Sequence, residues 1–347
     1  MKIFKGFSIL ARAVPHLLLL SAFALCGWAF YVANNMEGIP EKAGSEIEVT
    51  VLPGQSAADV ASEFARIGIV TRSRDLARQM ARLGIDRRIK PGIYRVRAGR
   101  AKDVALDFAE MSPSVLNVRI LPGALFSEVA SSISAEDGEL SFVSALASDD
   151  NFPEGLREVL PGEARERMML LAPETYEIPP GDGVASRLVK RASRAWWTRL
   201  SADVPPGFTS GDMRESGILA SIIQKEALVD SDRPVIAGVF KNRLRIDMPL
   251  QSCATVVHAW RQQGVRIKDV SYEDVKIESP FNTYAHKGLP PENIGIPSAE
   301  SWRAALRPAS TDMLYFVARG DGSHAFSRTY EEHLSAQRKI RREAAED

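Results

Sequence analysis

Cysteine is almost absent from this chain: two among 347 residues, Cys26 in an apolar N-terminal segment and Cys253 far from it. That excludes a disulfide scaffold. An oxidising compartment remains open, because it permits disulfides without requiring them. An excess of one charge is also absent. Forty-four basic residues balance forty-four acidic ones, so no long-range field gathers nucleic acid, and nucleic acid is not an expected partner. No glycine-rich phosphate loop precedes a helix. His258, His286, His324 and His333 never fall three to five residues apart, the spacing a zinc site prefers. Neither a metal nor a cofactor is expected. A Cys253–His258 nucleophile pair would lack an orienting partner in view.

What is present is a globular composition, 45% hydrophobic and 25% charged, over a length that suits one membrane segment plus about two domains. Lys2, Lys5 and Arg12 precede residues 17–33, a run without charge that extends back through Val14. About 17 to 20 apolar residues suffice to cross a hydrocarbon core. The positive flank predicts a cytoplasmic N-terminus over residues 1–13, a transmembrane anchor over 14–34, and the rest on the far side. Trp28 and Tyr31 suit the outer interface. A cleaved signal peptide is the rival reading, but Tyr31–Val32–Ala33 lacks the small-x-small pattern of a cleavage site. Bulky Leu25 argues against a lipoprotein site at Cys26.

Residues 34–45, with Gly38, Pro40 and Gly44, read as a linker. The alternating stretch EIEVTVLPGQS (46–56) predicts a half-buried strand ending in a Pro-Gly turn. Helical periodicity follows over 57–67 and over 73–83, the second helix capped by Ser73. A strand at 92–97 and a helix at 101–110 come next. VLNVRILPGALFSEVASSIS then repeats the strand–Leu-Pro-Gly–helix pattern of EIEVTVLPGQSAADVASEFA, which suggests a compact module of paired halves, although Leu-Pro-Gly is also a common strand exit. Residues 134–166 carry little pattern. A basic helix over 185–200 contains Trp196 and Trp197, a pair suited to a core or interface. From Gly211 on, helices and short strands form a second domain.

The chemistry concentrates in SIIQKEALVDSDRP, residues 221–234. Ile218, Ile222 and Glu226 are four apart, and Leu219 and Ile223 stand seven and three residues before the glutamate. A carboxylate therefore lies along an apolar helix face. Lost hydration disfavours its charged form, and a glutamate kept protonated near neutrality can act as general acid toward a glycosidic oxygen. The alternative is that Glu226 ends the face and reaches water, or makes a structural salt bridge. Most glycosidases use a second carboxylate about 5 to 10 Å away. Asp230 and Asp232 read instead as caps of a helix opening at Arg233–Pro234, which leaves Asp247 or Glu278 only if folding brings one in. Gln251, Ser252 and Thr255 on a turn, with the loops SPFNTY and GLPPENIGIP, offer the neutral hydrogen-bonding groups and aromatic faces that suit a sugar.

LASIIQKEALVDSDRPVIAGVFKNRLRIDMPLQS, SPFNTYAHKGLPPENIGIPS and MLYFVARGDGSHAFSRTYEEH, preceded by LAPETYEIPPGDG, resemble in order the signature segments of the endolytic murein transglycosylases of the MltG (YceG-like) family. The resemblance implies an α+β architecture in the bacterial inner membrane: an N-terminal transmembrane helix, then a small LysM-like α/β module over 46–134. Linking helices over 135–210, a mixed α+β catalytic domain over 211–334 and a charged tail over 335–347 complete it. It implies lytic cleavage of the bond between N-acetylmuramic acid and N-acetylglucosamine inside nascent peptidoglycan, limiting strand elongation. An acid/base glutamate protonates the bridging oxygen and deprotonates the muramyl 6-hydroxyl, which closes a 1,6-anhydro ring. No second carboxylate is then required.

Carried over position by position, the catalytic glutamate is Glu226. Gln251 and Thr255 match a Gln-Thr-Asp-Pro-Thr segment, and Asn282, Thr283 and Tyr284 an Asn-Thr-Tyr. Together with Asn242 these are expected to bind substrate. Gln224, Ala227, Cys253–Ala254 and Glu292 stand where the family has Glu, Thr, Asp-Pro and Gly, and the missing acid at Cys253 removes a charge that would tune the site. The implied partners are peptidoglycan strands, the inner membrane and peptidoglycan synthases (penicillin-binding proteins). The competing readings are a non-catalytic peptidoglycan-binding scaffold and an ordinary muramidase.

Overall fold

The computed structural model describes residues 21–29, 38–133 and 138–346. Most of the expected anchor, with the N-terminal segment before it, lies outside the described residues. Residues 21–29 are helical and expose Phe23, Leu25 and Trp28. Among the described residues no helix is long and apolar enough to cross a membrane. The chain forms two compact units, with the boundary between Val115 and Leu116.

In the first unit, β1 (Glu46–Val51) pairs antiparallel with β2 (Gly92–Arg97), Glu46 opposite Arg97 and Val51 opposite Gly92. Strand alternation puts Val49 and Val51 on one face with Tyr94 and Val96, all buried. Helices α1 (Ala57–Arg66), α2 (Ser73–Arg82) and α3 (Ala101–Glu110) complete that core through Val60, Phe64, Leu76, Met80 and Phe108. Phe64 and Phe108 meet edge to face with ring centres 5.5 Å apart. Ser56 and Asp59 open α1 with a reciprocal capping box. The expected cap at Ser73 is corrected: Arg72 is the extended residue before α2, no side chain caps it, and Ser73 is already helical. A hydroxyl inside the first turn no longer stands where a cap accepts from the N–H groups ahead of it. Gly92 has φ 153°, and a Cβ there would fall 2.4 Å from Cβ of Pro113. The glycine lets the 113–114 segment cross closely, where Ile93 and Ser114 exchange backbone hydrogen bonds.

In the second unit, β3 (Leu116–Arg119) and α4 (Phe126–Ile133) repeat the local strand–turn–helix pattern of β1 and α1. Yet β3 pairs with β4 (Thr175–Ile178), Leu116 opposite Ile178. Each copy finds its own partner strand, so the two do not join as halves of one module. Then come α5 (Gly138–Ala147), a single helical turn at Glu154–Arg157, and α6 (Val184–Leu200). Trp196 of α6 is buried and meets Trp302 edge to face at 5.1 Å.

Helix α7 (Ser210–Glu226), opened by a Thr209–Asp212 capping box, packs against α8 (Arg233–Arg245), α9 (Cys253–Gln262) and α10 (Ala299–Leu306). With neighbours on several sides, Ile218, Leu219, Ile222 and Ile223 are at most 1% exposed, so α7 is a core helix rather than a surface one with an apolar stripe. The hairpin β5 (Tyr315–Ala318) and β6 (His324–Ser327), with Tyr315 opposite Ser327, precedes α11 (Tyr330–Glu346). The class is α+β, with three two-stranded antiparallel sheets among the described residues.

Candidate active site

Glu226 is the last residue of α7, where Ala227 leaves the helix for an extended conformation. It is half-buried and borders a cavity of about 400 Å³ together with Arg243, Gln251, Cys253, Tyr284, residues of the β5–β6 hairpin including Tyr315, Phe316 and His324, and Tyr330 and His333 of α11. Two groups at the start of α9 hold the carboxylate. The Ser252 hydroxyl donates to Oε1, and the Ala254 N–H donates as well. Ser252 occupies the capping position of α9 but does not cap it, because its hydroxyl is engaged by Glu226. The unpaired N–H groups at that helix start favour an anion.

Burial acts the other way and is the largest influence. It raises the pKa of Glu226 above the ordinary 4.5, against the lowering effects of Ser252, Ala254, His324 and Arg243. The carboxylate end of α7 adds the negative pole of its own helix. The site therefore favours a carboxyl that keeps its proton to higher pH than a free glutamate, the property a general acid needs.

The framework around Glu226 uses several residues expected to bind sugar. Thr255 and Thr283 are buried with their hydroxyls 2.8 Å apart. Thr283 Oγ1 accepts the Ser252 N–H at 3.0 Å, and the Thr255 hydroxyl donates to the Ser252 carbonyl at 2.7 Å. The pair thus clamps the residue that holds Glu226. Asn282 is buried; its amide donates to the carbonyls of Val275 and Ile277 at 2.8 and 2.9 Å, and its Oδ1 accepts the Tyr284 N–H. Asn242 donates to the carbonyls of Thr311 and Met313 and ties α8 to the approach of β5.

Among the six expected binding residues, only Gln251 and Tyr284 border the cavity. The other four spend their polar groups inside the protein. Gln251 has φ 50°, with its N–H donating to the Thr283 carbonyl at 3.0 Å. A left-handed conformation costs a non-glycine residue about 1–2 kcal/mol, so the surrounding turn imposes it.

Arg243, expected near the end of α8 beside Asn242 but given no role in the site, also borders the cavity. Arg243 is buried, donates from Nε to the Leu314 carbonyl and from Nη1 to that of Leu250, both at 2.7 Å, and lies 5.3 Å from the Tyr315 ring centre. Burial lowers its pKa. Its signal was a basic residue four positions after buried Val239 on one helix. The caps expected at Asp230 and Asp232 are corrected. Asp230 pairs with Arg233 at 2.8 Å. Asp232 makes no cap bond, and its Oδ2 accepts the backbone N–H of His324 at 2.8 Å and stands 2.9 Å from its Nδ1. No local pattern links residues 92 positions apart.

Asp247 is paired with Lys287, and neither it nor exposed Glu278 borders the cavity. Cys253 lies 3.2 Å from the Tyr284 hydroxyl, and burial raises the pKa of both. His258 is directed elsewhere, against Phe281 at 4.7 Å, and burial lowers its pKa to about 4. Gln224 accepts from the Ser298 N–H and the Ser301 hydroxyl, both at 2.9 Å, so this departure serves packing between α7 and α10.

Fold and site define an α+β protein whose cavity, among the described residues, is bordered by one carboxyl, that of Glu226. The profile of the YceG-like family matches residues 49–339, and the chain belongs to that family. It is similar to the endolytic murein transglycosylase of Bacillus subtilis, 26% identical over 333 residues that cover 91% of each chain. It is also similar to the endolytic murein transglycosylase of Streptococcus pneumoniae, 38% identical over 119 residues, 33% of this chain and 21% of that relative. The crystal structure of a YceG-like protein from Listeria monocytogenes shares the fold, with a TM-score of 0.51 and 24% identity over 85% of this chain and 100% of that one.

Proposed function

We propose that this chain is an endolytic murein transglycosylase. It cleaves the bond between N-acetylmuramic acid and N-acetylglucosamine within peptidoglycan strands, leaves 1,6-anhydro ends and so limits strand elongation. Glu226 gives its proton to the bridging oxygen, and the muramyl 6-hydroxyl replaces water as nucleophile. The observation that carries this reading is a carboxyl with raised pKa at a cavity that, among the described residues, no second carboxyl borders, an arrangement short of the paired acids most glycosidases need. Tyr284, Tyr315 and Phe316 supply aromatic faces for sugar rings, and Gln251 hydrogen-bonds substrate. Asn242, Thr255, Asn282 and Thr283 shape the site from behind.

Residues 46–134 serve as the LysM-like module, a reading supported by the small β1–β2 sheet and its helical cover. A membrane anchor spans the N-terminal segment, with the remainder periplasmic in the inner membrane and peptidoglycan synthases as partners. The exposed Phe23, Leu25 and Trp28 on a helical stretch support the anchor. Mass spectrometry of peptidoglycan fragments after incubation with the protein tests the activity, with Glu226→Gln as control. Anhydro-muramyl ends from the wild type alone are expected. Intact strands that still bind the protein would instead establish a scaffold, and free reducing ends a muramidase.

A further inference from the structure

Glu292 stands where the family's Gly-Leu-Pro-Pro-Gly loop ends in glycine, and the site around Glu226 makes no use of it. It borders a second cavity, which shares no wall residue with the first. We infer that this cavity takes the outer end of the peptide carried by the muramyl unit, holding a free side-chain ammonium at Glu292 and a carboxylate at Arg266. The inference rests on the function proposed above and names a part of the substrate that the protein reads besides the glycan.

An outer chamber of about 500 Å³ and an inner recess of about 50 Å³ share Leu125, Phe126, Arg165, His258 and Gln262 as walls, all within the second unit. Arg266 borders the chamber and Glu292 the recess. A recess of that size has room for a small polar group, since about 10–15 Å³ of such space already holds one water. Glu292 is half-buried and makes no hydrogen bond or ion pair among the described residues. The two cations whose charges reach it are already held, Arg165 by Glu139 at 3.0 Å and Arg214 by Glu166 at 2.7 Å. Arg261 of the chamber is held by Glu128 at 2.7 Å. Exposed Arg266 has no such partner among the described residues. One charge of each sign is thus unspent in a single cavity. Between them, Leu125 and Phe126, the latter stacked under the Arg165 guanidinium at 4.0 Å, offer apolar surface for a methylene chain. Burial raises the pKa of Glu292, a cost that an ammonium beside it offsets.

The loop that carries Glu292 is fixed by its own bonds. Ile296 exchanges backbone hydrogen bonds with Gly123 and Ala124 at 2.7 and 2.9 Å, the Ile294 N–H donates to the Ser221 hydroxyl at 3.0 Å, and Arg214 donates to the Pro291 carbonyl. A carboxylate already in place loses little freedom on binding. The substrate's chemistry selects the ligand. The peptide is joined to the muramyl lactyl group through its amino end, so an ammonium can come only from the side chain of a diamino-acid residue. A cross-link acylates that amine, and the cavity therefore separates free stems from cross-linked ones. Helix α9 spans both sites: Cys253 borders the cavity of Glu226, while His258 and Gln262 border this one. Five to nine helical residues rise about 8–14 Å, and three extended peptide residues span about 10 Å. A stem on a muramyl unit in the first cavity has the length to reach the second.

Calorimetry with the full-length protein tests this without relying on cleavage. The probes are a disaccharide–peptide fragment whose side-chain amine is free and the same fragment acetylated at that amine. The free-amine fragment is expected to bind about tenfold tighter, the worth of one charge-assisted hydrogen bond. Glu292→Gln, and Glu292→Gly with the family's own residue, are expected to bind the two fragments equally. Arg266→Gln is expected to weaken both by about the same factor and to keep the preference for the free amine. Equal binding of the two fragments by the wild type, or an undiminished preference in Glu292→Gln, would overturn the inference. Release of anhydro ends from free-amine and acetylated strands is measured alongside. If neither strand yields them while the binding preference stands, the proposed function fails and the cavity keeps its ligand. If both yield them and no preference is seen, only this inference fails.

Discussion

The Ser252 hydroxyl donates to the carboxylate of Glu226 and so joins the start of α9 to the end of α7. The bond favours the charged form of the glutamate, while burial favours the neutral one and prevails. Ser252→Ala removes the opposing influence. The pKa of Glu226 is then expected to rise further, and the alkaline limb of the activity profile, where the acid loses its proton, to move to higher pH. A profile of anhydro-end release against pH checks this; a limb moved to lower pH contradicts it.

Glu226→Gln is expected to abolish cleavage and to stabilise the fold near neutrality. The sign follows from linkage. A native pKa above the ordinary 4.5 means that the folded protein holds this proton where the unfolded chain has released it. The glutamate therefore costs stability progressively as pH rises above 4.5 and costs nothing well below it. Thermal melts should place the glutamine variant above the wild type at about pH 8, by roughly 2–4 °C per kcal/mol in a unit of this size. The gap should close in acid. Equal melting temperatures at both pH values would show that burying this carboxyl carries no cost.

Cys253→Asp restores the family's acid at the first turn of α9, beside Glu226. The pKa of Cys253 already senses the charge of Glu226, so two carboxylates there oppose each other's ionisation. The alkaline limb is expected to move up, whereas neutral Cys253→Ser leaves it in place. The same charge sits well at a helix start and should add about 0.3–1 kcal/mol of stability. Urea titration and the pH profile measure the two effects separately.

Gly217 lies on α7, nine residues before the glutamate, where a Cβ would fall 1.7 Å from Sδ of Met169 and 2.9 Å from the Trp302 ring. Both neighbours are fully buried. Gly217→Ala is expected to cost about 1–3 kcal/mol through overpacking, read as a lower urea midpoint with unchanged slope. An unchanged midpoint would mean that Met169 moves aside freely.

Much of the frame was legible in residue order. Alternation marked β1 and β2, and 3.6-residue periodicity marked α1, α3 and α6, because those patterns record which face is buried. Ser73 misled because a hydroxyl at the first helical position and one at the cap look alike in sequence. The second Leu-Pro-Gly unit misled for a different reason: a turn signal dictates where a strand ends, not which strand it pairs with.

The sequence by itself determined the α+β class, the carboxyl at the end of an apolar helix and the polar loops that follow. These depend on neighbours within a turn or two of the chain. Tertiary structure alone decided that Thr255, Thr283, Asn242 and Asn282 form the frame while Gln251 and Tyr284 face the cavity. It also placed Arg243 beside Glu226 and joined Asp232 to His324 across 92 positions. Burial and long-range hydrogen bonding set which polar groups remain free and which carboxyl keeps its proton, and both arise only when distant segments pack together.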